Sequence, residues 1–137
     1  VELAKRAVAI ANGTAIRKYL TTLSKPENQM ILMAMADMIM EVFALDSTVT
    51  RTSQLIEERG VEKVRVPLAL TQVFVAETVD KVRELGARLL ANCLEGDELE
   101  QTLSGFNALL PFIPTKTHAL KDELAAHLLE RESYNLE

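Results

Sequence analysis

One cysteine, two histidines and five glycines in 137 residues leave little material for several common chemistries. A lone Cys93 cannot close an internal disulfide. In its apolar helical context it reads as a packed thiol of a reducing compartment, and no histidine lies near it in sequence to make it a nucleophile. Neither His118 nor His127 follows a glutamate by three residues, so the Glu-x-x-His pairs of di-metal helical bundles are missing and no metal site is expected. The two histidines fall on different faces of one helix and read as surface or packed residues. The few glycines form no phosphate loop, and there is no G-x-S-x-G, H-E-x-x-H or paired C-x-x-C.

Positive charge is also in short supply. Fifteen Lys and Arg stand against twenty Asp and Glu, a formal net charge of −5 with the signs interspersed, which gives no electrostatic footprint for nucleic acid or anionic lipid. No apolar run reaches the roughly 18 to 20 residues of a membrane span, and no leader peptide is visible. The chain begins at a valine inside what already reads as a helix, which sets the expectation of a missing upstream region.

What remains is helix throughout. Residues 2 to 23 place Leu3, Ala4, Ala7, Val8, Ala11 and Ala15 at three-to-four spacing, a stripe of small side chains that permits close helix approach. "SKPEN" interrupts it, and Ser24 with Glu27 has the spacing of a capping box for a second helix, with Pro26 in its first turn. Gly60 ends that helix after Arg59, at a length of roughly 45 to 50 Å. Pro67 opens a third helix to Leu94, with Leu68, Val75, Val79, Val82, Gly86, Leu89 and Cys93 on one face and Glu77, Lys81, Glu84 and Arg88 on the other. A short helix starts at Asp97, "LLPFIPT" is an irregular connector, and Thr117 caps a last helix carrying Leu120, Leu124 and Leu128 to about Glu132. The expected fold is all-α: one domain over 1–137, an up-and-down bundle of four main helices plus a short connecting helix.

All five methionines lie within residues 28–47, "NQMILMAMADMIMEVFALDS". On the second helix Ile31, Leu32, Met35, Met38, Ile39, Val42, Phe43 and Leu45 cover about half the circumference, wider than an ordinary amphipathic stripe. Asp37, Glu41 and Thr48 form a narrow polar strip that can meet water or a cation. Met33, Ala36, Met40 and Ala44 lie on a flank outside the main arc and call for a partner. Methionine clusters at helical spacing belong more often to a core or fixed interface than to an adaptable peptide groove.

The run "ELAKRAVAIANGTAIRKYLTTLSKPENQMILMAMADMIMEVFALDSTVTRTSQLIEERG" resembles the carboxy-terminal helical domain of the very-long-chain type of acyl-CoA dehydrogenase, and the similarity continues through "PLALTQVFVAETVDKVRELGARLL", fading after Glu95. Glu2-Leu3-Ala4, Arg6-Ala7, Ala36-Asp37 and Gly60 carry it. The resemblance implies a parent flavoenzyme of fatty acid β-oxidation, cytoplasmic or in the mitochondrial matrix, whose FAD site and catalytic glutamate precede this segment. It implies no catalytic, cofactor-binding or metal-binding residue and no cofactor in this piece. It implies upstream catalytic domains of the same chain as partner and a homodimer in place of a tetramer; the uncovered flank of Met33, Ala36, Met40 and Ala44 is then the expected contact. A free-standing helical interaction module and an acyl carrier are the competing readings. Gly86, on an apolar face between Val82 and Leu89, predicts close approach by a neighbouring helix.

Overall fold

A computed structural model describes residues 1–131, and every regular element among them is helical. Five α-helices follow in order: α1 (Glu2–Tyr19), α2 (Gln29–Arg59), α3 (Arg65–Cys93), α4 (Gly96–Leu109) and α5 (Thr117–Arg131), with 3-10 turns at Pro26–Asn28 and Val61–Lys63. The expected end of the last helix near Glu132 lies outside the described residues. The helix expected to be a short connector runs for 14 residues, with Asp97 and Glu98 in its first turn, where carboxylates complement the helix dipole.

The ends differ from the sequence expectation in three places. α1 stops at Tyr19 because the chain passes into successive tight turns, with Thr22 N–H bonding Tyr19 O at 2.8 Å and Lys25 N–H bonding Thr22 O at 2.9 Å. The capping box of Ser24 and Glu27 does not form: Lys25 stands at the start of the 3-10 turn without a side-chain cap. The Asn28 amide instead ties the 3-10 turn back to the preceding loop, donating to Thr22 O at 2.9 Å and to Thr22 Oγ1 at 3.1 Å. Gly60 ends α2 as expected, with a φ of 83° that a side chain would resist. α3 starts two residues before Pro67, which is tolerated because a first-turn proline lacks only a donor that has no helical partner.

The chain forms two compact units, Val1–Ala44 with Thr78–Phe112, and Leu45–Glu77 with the segment that starts at Ile113. In the first unit the buried small stripe is Ala4, Ala7, Val8, Ala11 and Ala15 of α1, while Leu3 is half exposed. Small side chains let α1 approach closely, and Asn12 Nδ2 donates to the α2 carbonyl of Met35 at 3.3 Å. The rest of this core includes Met35, Met38, Val42, Val82, Leu89, Leu90, Cys93, Phe106 and Leu110. At the end of α3, Lys18 Nζ and Tyr19 Oη both donate to Asn92 O, which would otherwise be an orphan carbonyl.

Gly86 meets its expected neighbour here. A Cβ on it would come within 3.0 Å of Met38 Cε and closer still to the ring of Phe106, so α3 gives up a side chain to admit α4.

In the second unit Leu124 of α5 packs on Ala69 and Val73 of α3, with Val66 and Leu120 at the margin. Two ion pairs, Lys121 with Glu77 and Arg65 with Glu123, also join α5 to α3. A buried hydroxyl pair, Thr52 Oγ1 and Thr71 Oγ1 at 2.6 Å, joins α2 to α3. Since the Thr71 hydroxyl donates to Pro67 O at 2.9 Å, the shared proton belongs to Thr52.

Candidate functional site

α2 has apolar side chains on two faces, and only one has a core to enter. Met35, Met38, Val42 and Leu45 are buried. The flank singled out in the sequence turns outward: Met33 is 55 % exposed, Met40 is 59 % exposed and Ala36 is exposed, while Ala44 is half-buried.

Part of the predicted core arc is on the outside as well. Leu32 is 40 % exposed, Ile39 55 % and Phe43 73 %, a correction to the reading that placed them with Met35 and Met38. The cause is geometric. α1, α3 and α4 fill a narrower sector than the apolar pattern spans, so side chains about 100° round the helix from Met35 and Met38 are left partly or largely uncovered by the described residues. Leu32, Met33, Ala36, Ile39, Met40 and Phe43 therefore make one continuous outer face over three turns. The period of Leu32, Ile39 and Phe43 (i, i+7, i+11) marks them as face-sharing, but does not tell whether their face has cover.

Between the two faces runs the polar strip. Glu41 pairs with Lys81 of α3, and this hydrogen bond, followed by the charge of Glu41 and then of Asp37, raises the Lys81 pKa above its ordinary value. Thus the strip meets a cation from within the fold. Among the described residues there is no cluster of three or more His, Cys, Asp or Glu able to hold a metal ion, and no helix long and apolar enough to cross a membrane.

Cys93 is a free, buried thiol. Burial pushes its pKa up, and the nearby Lys18 charge pulls it partly back. It borders a cavity of about 260 Å³ shared with Thr14, Arg17, Lys18 and Glu98. A buried thiol held protonated in this way is a poor nucleophile at neutral pH. His118 is exposed and His127 half-buried.

Residues 3–107 match the family model described as acyl-CoA dehydrogenase, C-terminal domain. A protein of Bacillus subtilis (strain 168), described as a "Probable acyl-CoA dehydrogenase", is 32 % identical over 136 residues, which are 99 % of this chain and 23 % of that protein. The crystal structure of an acyl-CoA dehydrogenase complexed with FAD from Bacillus anthracis superposes with a TM-score of 0.93 at 30 % identity, covering 98 % of this chain and 23 % of the other. The chain thus spans under a quarter of the length of either relative. These matches carry the family and not its very-long-chain subtype.

Proposed function

Because the chain belongs to the acyl-CoA dehydrogenase C-terminal domain family, we propose that it acts as the appended helical domain of a longer FAD-dependent enzyme of fatty acid β-oxidation, docking on the catalytic portion without supplying a catalytic residue. The observation that carries this reading is the outer face of α2. Contiguous exposed apolar patches on soluble proteins mark contact surfaces, and six neighbouring apolar side chains across three turns form such a patch. Methionine fits the contact because an unbranched thioether adapts to an irregular opposing surface.

In this role residues 1–137 are one helical domain, and Met33, Ala36, Met40 and Ala44 belong to the contact together with Leu32, Ile39 and Phe43. The flavin and the acyl substrate are handled by the preceding domains of the parent, and the appended domain supports assembly as a homodimer.

The test uses Met33→Glu with Met40→Glu. In the 137-residue chain the double change should leave the helical circular dichroism signal intact and reduce self-association in sedimentation. In the longer parent it should loosen flavin retention and lower dye reduction by acyl-CoA, without altering the flavin spectrum of the protein that stays assembled. Lost helicity in the short chain would place these methionines in a core and overturn the reading, because an unpaired buried carboxylate is too costly to keep folded. Stoichiometric yellow flavin bound to the 137-residue chain alone would overturn the non-catalytic assignment.

A further inference from the structure

The second compact unit contains a cavity of about 540 Å³, within the range of pockets that take small organic molecules. Its composition is unlike that of the chain as a whole. The protein carries a net charge of −5, yet among the described residues the cavity is lined by Arg51, Arg59 and Lys63 and by no carboxylate. Leu55, Val64, Pro67 and Leu70 supply an apolar side, with Val64 fully buried as its floor.

Helix-dipole complementarity accounts for only one of the three cations. Arg59 is in the last turn of α2, where a positive charge is favourable, and it already interacts with a neighbour. Arg51 lies two turns earlier, beyond the reach of that effect, and Lys63 is on the 3-10 turn that follows Gly60. Hydroxyl orientation narrows the chemistry further. The proton of Thr52 goes to Thr71 and that of Thr71 to Pro67 O, so neither buried hydroxyl has a proton left for a ligand. Ser47 and Thr48, also on the wall, keep theirs to give. Among the described residues the available donors are therefore Arg51, Lys63, Ser47 and Thr48, facing an apolar side made by Leu55, Val64, Pro67 and Leu70.

We propose that this cavity binds a small amphiphilic anion, with a phosphate or carboxylate head on Arg51 and Lys63 and a short alkyl chain against Leu55, Val64, Pro67 and Leu70. Arg51 can present two parallel N–H groups to such a head, and Lys63 adds a point charge. Apolar walls alone would accept the alcohol equally well, and cations alone would accept the inorganic ion.

The experiment titrates the 137-residue chain with hexyl phosphate, hexanoate, hexanol and inorganic phosphate, following backbone amide shifts by NMR. Hexyl phosphate or hexanoate should saturate, with shifts at Thr52, Leu55, Val64 and Thr71, and the two arms identify the preferred head. The better of them should bind at least about tenfold more tightly than hexanol or inorganic phosphate, and Arg51→Gln with Lys63→Gln should weaken it by about tenfold, as expected for lost charge-assisted contacts. The charge-retaining pair Arg51→Lys with Lys63→Arg should restore most of the affinity, and Met33→Glu with Met40→Glu should leave it unchanged. The proposal fails if neither amphiphile saturates, if the Gln variant binds as well as the parent, or if the shifts map to the turns of Met33 and Met40.

Discussion

A Cβ on Gly86 would stand 2.1 Å from Cζ of Phe106 and 2.7 Å from its Cε2, so the α3 glycine is the socket for the α4 ring. Phe106 has no exposed surface and nowhere to swing, and Met38 closes the remaining side. Glycine costs a helix interior about 1 kcal/mol relative to alanine, and here that cost is offset by burying a whole aromatic side chain.

Gly86→Ala should accordingly destabilise the protein by about 1 to 3 kcal/mol in spite of its better helix propensity, and Gly86→Leu by at least as much. Urea unfolding measures both. Phe106→Leu made in the Gly86→Ala background should cost less than Phe106→Leu alone, because the two changes relieve the same contact. Additive costs would mean that the ring is held by something other than this socket.

The two threonine hydroxyls that join α2 to α3 are not equivalent. Thr52→Val removes one hydrogen bond and leaves Thr71 its bond to Pro67 O, at a cost of about 1 kcal/mol. Thr71→Val also strands the buried Thr52 donor and should cost more, about 1 to 3 kcal/mol. Equal losses in chemical denaturation would reverse the proton assignment.

The buried Cys93 thiol should react slowly with iodoacetamide at neutral pH and rapidly once urea unfolds the chain. Its folded pKa is raised above the ordinary 9.0 by burial, against a smaller opposing pull from Lys18. The folded state therefore holds the proton longer than the unfolded state. That contribution to stability is complete below the ordinary thiol value and is lost as pH rises through the folded one. As pH rises above the ordinary thiol value of 9.0 the melting temperature should fall more steeply for the parent than for Cys93→Ala, which has no thiol to titrate.

Lys81→Met should leave the melting temperature essentially unchanged even though it removes the partner of Glu41. Lys81 is solvent-exposed and the Glu41 side chain keeps 21 % of its surface, so water can replace the lysine at the carboxylate, and a pair open to solvent on one side contributes little after screening and side-chain entropy. A large drop would show that the pair does more than meet the polar strip in water.

Periodicity alone identified what depends on local repetition. The alanine stripe of α1, the buried run of Val82, Gly86, Leu89 and Cys93 on α3, and Leu124 of α5 with Leu120 at its margin follow from three-to-four spacing. It failed where a second body decides. Leu32, Ile39 and Phe43 share a sector as the pattern says, but whether a sector is covered depends on the neighbours present, which spacing does not encode. Ser24 and Glu27 have the spacing of a capping box but form none, and the loop is held instead by the Asn28 amide donating to Thr22 O, six residues back. The Thr52 and Thr71 pair, 19 residues apart, has no sequence signature, nor does the gathering of Arg51 and Lys63 around one cavity. At the candidate interface Met33 and Met40 were legible as an unsatisfied flank, whereas its full width appeared only in three dimensions.

The outer face of α2 also works as a ruler. Its apolar stretch begins at Leu32 and ends at Phe43, roughly 16 Å along the axis, and the same helical sector then carries Ser47, Thr50, Gln54 and Glu58. Anything laid along this face in the apolar register must end, turn away or change character within three turns. A covering helix of ordinary length would run past the last apolar residue into hydroxyls, an amide and a carboxylate, so its complementary side should be apolar for about eleven residues and polar afterwards.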